Sequence, residues 1–189
     1  MHKTNKILIL GSNGMLGHTL FYFLRGFKDH RIFGLQRVKI KNSLKNNIII
    51  IKKFDQKNIT KIIKKIRPKF VINCVGVINH KINKNNVYDV FYINSVFPRI
   101  ISKISSIYNF KFIHISTDCV FSGKKGNYYE RNLPDAEDIY GVSKFLGESD
   151  QNNTITLRTS IYGHELNSKF GLLEWFLKNK KRVKGYKNF

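Results

Sequence analysis

The stretch Lys6-Ile-Leu-Ile-Leu10, followed by Gly11-Ser-Asn-Gly14-Met-Leu-Gly17, decides the fold of this chain. The apolar run predicts a buried strand, and the apolar spacing over residues 15–27 predicts a helix. The glycines between them follow GxxGxxG, a variant of the GxGxxG turn that binds dinucleotides. Such glycines permit a tight turn, a close approach of the backbone to a pyrophosphate, and close packing of helix on strand. We therefore predict a dinucleotide site formed by Gly11, Ser12, Asn13, Gly14, Met15, Leu16 and Gly17.

Beyond this unit, short β-branched runs alternate with longer segments of helical spacing, which predicts βαβ units and a parallel sheet. The predicted strands are 6–10, 31–36, 47–51, 70–74, 111–115 and 154–158. The predicted helices are 15–27, 58–66, a long one within 88–108, 139–149 and one near 171–179. Pro98 either kinks the long helix or begins its main part. We expect a Rossmann-type, doubly wound α/β fold whose ligand lies beyond the carboxyl ends of the strands.

Composition limits the classes of protein that this chain can belong to. Its 189 residues fit one domain with a sizeable core, and no apolar stretch is long enough for a membrane span. The two cysteines, Cys74 and Cys119, indicate neither a disulfide framework nor a metal site. We expect reduced thiols, no signal peptide and a cytoplasmic protein without membrane or metal partners.

The net charge of +22 would attract nucleic acid, anionic membranes or phosphorylated ligands. The lysines are scattered, however, and they accompany many Asn and Ile residues, as expected from a genome-wide codon bias. No recognised nucleic-acid motif accompanies the charge, so nucleic-acid binding is not expected to be the main role.

The end of the second predicted strand bears on the choice of cofactor. Its sequence, Leu35-Gln36-Arg37-Val38, has no acidic residue to bind a ribose 2′-hydroxyl. Arg37 is suited to pair with a 2′-phosphate, which favours NADP(H) over NAD(H). Asp55, after the third strand, either contacts the adenine or caps the next helix.

A candidate acid–base pair lies on a later helix. Tyr140 and Lys144 are four residues apart and therefore share one helix face. A nearby cation stabilises phenolate, so we expect Lys144 to lower the pKa of Tyr140 towards the range of a general acid–base. Ser116, Thr117 and Asp118 end the fifth strand, where a hydroxyl can hold a substrate carbonyl beside the tyrosine.

With these motifs, the chain resembles the extended short-chain dehydrogenases/reductases, and within them the dTDP-4-dehydrorhamnose reductase-like group. The matching stretches are GSNGMLG at 11–17, NCVG at 73–76, INS at 93–95, STDCVFSG at 116–123, YGVSKFLGE at 140–148 and LRTSIYG at 157–163. The resemblance implies catalytic roles for Thr117, Tyr140 and Lys144. It also implies that Cys74, Val75 and Gly76 line the cofactor groove, that Asn94 supports the site, and that Arg158, Thr159 and Ser160 lie near the substrate.

The chain departs from this family in two ways. The rhamnose-forming reductases carry tyrosine after the STD triplet where this chain has Cys119, which favours a different sugar. Such enzymes are also longer, and their later segments build most of the sugar pocket. We therefore expect an NAD(P)-binding domain at 1–165, only the start of the substrate-binding part at 166–189, and most of that part to be missing. The chain would then be a fragment, a truncated product or half of a split enzyme.

The function that these features imply is NAD(P)-dependent reduction of a 4-keto sugar linked to a nucleotide, in surface polysaccharide or nucleotide-sugar biosynthesis. One alternative is a sugar-nucleotide epimerase or dehydratase with the same residues, which recycles its cofactor. Others are a non-catalytic NADP-binding regulatory subunit and a nucleic-acid-binding module. For the reductase, the expected partners are the nucleotide-sugar substrate and either a second copy or a chain that supplies the missing substrate part.

Overall fold

The computed structural model describes residues 4–38, 47–166, 171–179 and 182–185. Its strands are β1 (Asn5–Leu10), β2 (His30–Gln36), β3 (Ile48–Ile50), β4 (Phe70–Asn73), β5 (Lys111–Ile115) and β6 (Thr154–Leu157). Its helices are α1 (Met15–Arg25), α2 (Gln56–Ile66), α3 (Val87–Phe91), α4 (Phe97–Ile107), α5 (Ile139–Gly147) and α6 (Leu172–Lys178). A π-helical segment, Tyr92–Val96, joins α3 to α4, and short 3-10 turns occupy Asn79–Lys81 and Asp118–Val120.

The strands form one six-stranded sheet in the order β3-β2-β1-β4-β5-β6, and every pair is parallel. The direction of winding reverses between β1 and β4, where Leu10 lies beside Asn73. This is the topology of the predicted Rossmann-type, doubly wound fold, which the structure confirms. The carboxyl ends of β1, β4 and β5 therefore meet at one edge, where such folds bind their ligands.

Successive side chains of each strand point to opposite faces of the sheet, so the core consists of two layers, one on each face. Leu8 and Leu10 face the layer that α2 and α4 cover, whereas Ile7 and Ile9 face the layer that contains Phe21 of α1. All four side chains are buried, as expected for a central strand of a parallel sheet. The central position of β1 fixes the glycine turn that follows it at the middle of the sheet edge.

The predicted long helix consists of α3, the π segment and α4 in succession. Pro98 lies in the first turn of α4 and thus begins its main part, which was one of the two alternatives. Proline has no N–H group to donate to the carbonyl of the residue four positions earlier, here Asn94. We attribute the wider π-helical turn at this point to that missing hydrogen bond.

The outer strand β6 has a partly uncovered apolar face. Ile155 pairs with Ile113 and Leu157 with Ile115 in register, so all four share the face on which α1 lies. Ile155 is 55% exposed and Leu157 is 45% exposed. Of the predicted substrate part at 166–189, the structure describes residues 166, 171–179 and 182–185, and the remainder lies outside the described residues. Within the described ranges, no helix has the length and apolar character that a membrane span requires.

Candidate active site

The glycine turn follows β1 directly, as the sequence predicted. Gly11 has a φ of +77°, which favours glycine, and its N–H donates to the carbonyl of Leu35 at 2.8 Å. A Cβ atom on Gly17 would lie only 2.1 Å from the carbonyl oxygen of Gly11. Glycine at position 17 is therefore what allows α1 to pack against the end of β1.

The start of α1 is suited to an anionic group. Gly14 is the N-cap residue, and among the described residues no side chain caps the helix and no acidic residue lies in its first turn. A Cβ atom on Gly14 would meet nothing nearer than Gly11 O at 3.5 Å, so the backbone here is open. Helix N–H groups at such an end attract phosphates, and this turn fits the pyrophosphate of a dinucleotide.

The other predicted residues of the turn surround this point. Ser12 is buried, with its hydroxyl 3.4 Å from Oε1 of Gln36, while Asn13, Met15 and Leu16 are half-buried. Gly34, which the sequence analysis did not single out, makes room for Ser12, because a Cβ on Gly34 would lie 2.6 Å from the serine hydroxyl. A glycine inside a strand is the signal that could have identified this contact.

The two residues predicted to contact the adenosine part have different positions. Arg37 is exposed and follows the end of β2, two residues after the carbonyl that binds the glycine turn. Asp55 is the N-cap of α2, and its Oδ1 accepts from the N–H of Asn58 at 2.8 Å. Its Oδ2 accepts from the side chain of Asn58 at 3.1 Å. The helix-capping alternative for Asp55 is thus confirmed.

Cys74, Val75 and Gly76 lie where β4 ends, opposite the glycine turn. The N–H of Cys74 donates to Leu10 at 3.0 Å, and a Cβ on Gly11 would approach the Cys74 carbonyl to 3.1 Å. Asn94 is fully buried in the π segment and binds the backbone of Val77, which continues this loop. The loop that the resemblance assigned to the cofactor groove is therefore held rigidly beside the turn.

Thr117, Tyr140 and Lys144 come together at the end of β5. Thr117 is buried, and its hydroxyl lies near enough to the half-buried phenol of Tyr140 to act on the pKa of that phenol. Lys144 is only 5% exposed, and its Nζ donates to the carbonyl of Ile115 at 2.7 Å. Gly141 allows α5 to approach this strand end, because a Cβ there would lie 2.3 Å from the carbonyl of Cys119.

The protonation equilibria of this group are dominated by burial. Burial raises the pKa of Tyr140. The hydroxyl of Thr117 acts to lower this pKa, but its effect is smaller than that of burial. The expected lowering of the Tyr140 pKa by Lys144 is therefore wrong for this structure. Burial also lowers the pKa of Lys144 to about 8, while Glu148 and Cys74 act to raise it. The ammonium of Lys144 is directed to the backbone of β5, which explains why it does not govern the phenol.

A buried histidine lies beneath the lysine and was not predicted. His114 is 1% exposed, and its Nδ1 is 3.1 Å from the side-chain nitrogen of Asn73 on the neighbouring strand. Within the described part of the chain its Nε2 has no hydrogen-bond partner. Burial, assisted by the charge of Lys144, lowers the pKa of His114 to about 3. The imidazole is therefore neutral at physiological pH.

Most of the residues expected near the substrate form hydrogen bonds or ion pairs with other residues of the chain. The hydroxyl of Ser116 donates to Glu148 at 2.7 Å, and Arg158 forms an ion pair with the same carboxylate at 2.8 Å. Arg158 also donates to the carbonyl of Glu130 at 2.9 Å. Ser160 donates to Asp118, and Thr159 to the carbonyl of Ser160. Ser116 and Arg158 thus build the wall of the site, whereas Asp118 and Ser160 lie on its exposed side.

Burial alone would raise the pKa of Asp118, but hydrogen bonds from Ser160, Thr117 and the backbone bring it below its usual value. Its carboxylate is therefore charged at neutral pH. Glu148 was missed as a site residue, although its position four residues after Lys144 placed it on the same helix face.

The sheet order, the glycine turn and the tyrosine–lysine pair define a Rossmann-type domain of the short-chain dehydrogenase/reductase class. Residues 5–184 match the family described as the RmlD substrate binding domain, and the chain belongs to that family.

Individual relatives agree with this assignment. The spore coat polysaccharide biosynthesis protein SpsK of Bacillus subtilis is 27% identical over 165 residues, covering 84% of this chain and 54% of that protein. Methionine adenosyltransferase 2 subunit beta of Bos taurus is 24% identical over 144 residues, covering 76% of this chain and 41% of that protein.

Among solved structures, the dTDP-4-dehydrorhamnose reductase of Bacillus anthracis, in complex with NADP, superimposes with a TM-score of 0.70 at 24% identity. The match covers 86% of this chain and 57% of that one, and it confirms the fold. The chain spans about half the length of the curated relatives it matches.

Proposed function

We propose that this chain is the cofactor-binding and proton-transferring part of an NADP(H)-dependent reductase that acts on a nucleotide-linked 4-keto sugar. The observation that carries the proposal is the convergence of Thr117, Tyr140 and Lys144 on one strand end. That strand end lies on the same sheet edge as the glycine turn. This arrangement puts a proton donor beside a dinucleotide site, which is what reduction of a carbonyl requires.

Each residue has a distinct role in the proposed reaction. Tyr140 donates a proton to the carbonyl oxygen of the substrate, and its raised pKa suits a group that is protonated before transfer. Thr117, whose hydroxyl lies near the phenol, orients the same carbonyl oxygen. Lys144 binds the ribose next to the nicotinamide. The bound cofactor supplies the hydride that reduces the carbonyl carbon.

A preference for NADP(H) over NAD(H) is part of the proposal. It is supported by Arg37, which is exposed after β2 and available to a 2′-phosphate, and by the lack of an acidic residue at 35–38. The related Bacillus anthracis reductase was crystallised with NADP. A role in surface polysaccharide synthesis is supported by the similarity to SpsK. We propose that this role is carried out in the cytoplasm.

We further propose that the sugar pocket is completed by polypeptide beyond the described residues, in this chain, a second copy or a partner. The greater length of the relatives supports this. The partly exposed Ile155 and Leu157 show that the sheet still has apolar surface to bury.

A second candidate is a regulatory subunit that binds NADP(H) without turnover. The similarity to the beta subunit of methionine adenosyltransferase favours it, because that name denotes a subunit of an enzyme for a different reaction. The presence of Tyr140 and Lys144 together favours the reductase instead.

Two measurements test the proposal. NADPH is expected to raise the unfolding temperature more than NADH does, since a ligand that binds the folded state stabilises it. With a dTDP-linked 4-keto sugar, turnover is expected to consume NADPH stoichiometrically, and Tyr140→Phe to abolish it while NADPH binding remains. When the polypeptide that completes the sugar pocket is also present, NADPH binding without turnover by the wild type would indicate the regulatory subunit. Catalysis without net NADPH consumption would indicate an epimerase or dehydratase. No thermal shift with either dinucleotide would overturn the cofactor site itself.

A further inference from the structure

Glu148 connects three structural elements beside the candidate active site. It is the C-cap residue of α5, one turn after Lys144, and its side chain is 11% exposed. Oε1 accepts hydrogen bonds from the hydroxyl of Ser116 at 2.7 Å and from Nε of Arg158 at 3.0 Å. Oε2 accepts from Nη2 of Arg158 at 2.8 Å. One carboxylate therefore joins the ends of α5, β5 and β6.

Lys144 and Glu148 bind adjacent residues of the same strand end. The ammonium of Lys144 donates to the carbonyl of Ile115, and the hydroxyl of the next residue, Ser116, donates to Glu148. The residue after that is Thr117, whose hydroxyl acts on the pKa of the Tyr140 phenol. A change in the charge of Glu148 would therefore act on the lysine and on the strand end that carries Thr117.

Cys74 and His114, the other described groups that interact electrostatically with Lys144, carry no negative charge at neutral pH. Burial raises the pKa of Cys74 to about 12 and lowers that of His114 to about 3, so both are neutral. Among the groups that favour the ammonium form of Lys144, Glu148 is the strongest. Arg158, on the far side of Glu148, carries the opposing positive charge.

We propose that Glu148 is a positioning residue of this site, which keeps Lys144 in its ammonium form at the end of β5. Arg158 is the counter-ion of Glu148 and determines how strongly the carboxylate stabilises the ammonium of Lys144. In this proposal Arg158 does not bind the substrate. The inference rests on the proposed function, because it concerns the lysine that would bind the nicotinamide ribose.

The test is the pH dependence of NADPH binding, followed by the fluorescence of its reduced nicotinamide. Wild-type binding is expected to weaken as the pH rises through about 8, where Lys144 loses its proton. In Glu148→Gln the amide oxygen can still accept from Ser116, but the negative charge is lost and Arg158 loses its ion-pair partner. The midpoint of this weakening is therefore expected to fall by about one pH unit.

Arg158→Gln has the opposite expected effect, because it leaves the negative charge of Glu148 without its counter-ion. The midpoint is then expected to rise, and Arg158→Lys, which restores a positive charge, to return it towards the wild-type value. Glu137→Gln is the matched control. Glu137 pairs with Lys124 on the surface, where both side chains are largely exposed, so the midpoint should not move.

Opposite shifts in the Glu148 and Arg158 variants would establish electrostatic positioning, since a loss of packing would weaken binding in both without separating their midpoints. Midpoints that stay equal, or move in the same direction, would overturn the inference while leaving the proposed function intact. If Glu148→Gln fails to fold, the upward shift of Arg158→Gln decides the question. If the wild type binds no NADPH at any pH, the proposed function fails, and this inference fails with it.

Discussion

The side-chain amide of Asn94 binds both main-chain polar groups of Val77: its Oδ1 accepts from the N–H at 2.8 Å, and its Nδ2 donates to the carbonyl at 2.9 Å. The same Nδ2 is 3.1 Å from the hydroxyl of Ser143 on α5. A single buried side chain thus fixes the loop after β4 to the helix that carries Tyr140 and Lys144. The relative positions of the proposed cofactor groove and the proposed proton donor therefore depend on this side chain.

Asn94→Ala is therefore expected to destabilise the chain severely. It leaves the N–H and carbonyl of Val77 without their partners, and each such buried group costs about 1–3 kcal/mol, so we expect a total loss of about 3 kcal/mol. Urea unfolding measures this loss. The control is Asn132→Ala, which removes an exposed acceptor for the N–H of Tyr129 and should cost about 1 kcal/mol or less. Equal losses in the two variants would contradict the linking role of Asn94.

Two glycines of the turn are expected to respond differently to substitution. In Gly17→Ala the new Cβ would lie 2.1 Å from the carbonyl of Gly11, so helix and strand must separate, at a cost of about 3 kcal/mol or more. Gly14→Ser introduces a favourable N-cap residue into open space, and its stability should stay within about 1 kcal/mol of wild type. Its side chain occupies the proposed pyrophosphate position, however, and NADPH binding should weaken at least about tenfold. Unchanged binding by a folded Gly14→Ser chain would argue against a phosphate at this turn.

The substitution Arg37→Gln is expected to weaken the binding of NADPH much more than the binding of NADH. Because a charge-assisted pair with a phosphate contributes roughly 1.5–3 kcal/mol, NADPH affinity should fall at least about tenfold. NADH affinity should change less than about twofold, since NADH lacks the 2′-phosphate. Titration of both ligands measures this, with Arg31→Gln, at the amino end of the same strand, as the control. A parallel loss for both ligands would mean that Arg37 does not read the 2′-phosphate.

The buried histidine makes stability depend on pH. The pKa of His114 is about 3 in the folded chain against its ordinary 6.5, so on acidification the unfolded chain takes up the proton first. The stability that this histidine contributes is therefore fully present well above pH 6.5 and is lost as the pH falls, by about 2 kcal/mol between pH 6.5 and 4.5. His114→Gln should remove most of this slope in urea unfolding, whereas His164→Gln, at a histidine that is largely exposed, should retain it. The same slope in both variants would assign the acid sensitivity to other groups.

The parts of the molecule that local patterns determine could be predicted from the sequence. The apolar runs gave the strands and their order along the chain, and the spacings of Gly11–Gly17 and of Tyr140 and Lys144 gave the turn and the pair on α5. Contacts between distant segments could not be predicted in this way. The ion pair of Glu148 with Arg158 depends on how α5 and β6 are brought together, which no local pattern specifies.

The pKa of Tyr140 was predicted in the wrong direction for a related reason. The spacing of Tyr140 and Lys144 specifies that they share a helix face, but it does not specify how deeply each is buried. Burial acts on the phenol more strongly than any neighbouring charge. The close packing of α5 on the π segment is likewise a contact between distant segments, because a Cβ atom on Gly147 would lie 2.0 Å from the Asn94 carbonyl oxygen.

The uncovered apolar face of β6 has a consequence for the colloidal behaviour of the chain. Ile155 and Leu157 lie on an outer strand, where exposed apolar side chains and unpaired backbone groups favour association between copies. The net charge of +22 opposes that association by mutual repulsion, which acts over roughly 30 Å at 0.01 M salt but only about 8 Å at physiological ionic strength. Adding salt should therefore lower the solubility of the chain, and light scattering in a salt titration would record the onset of aggregation.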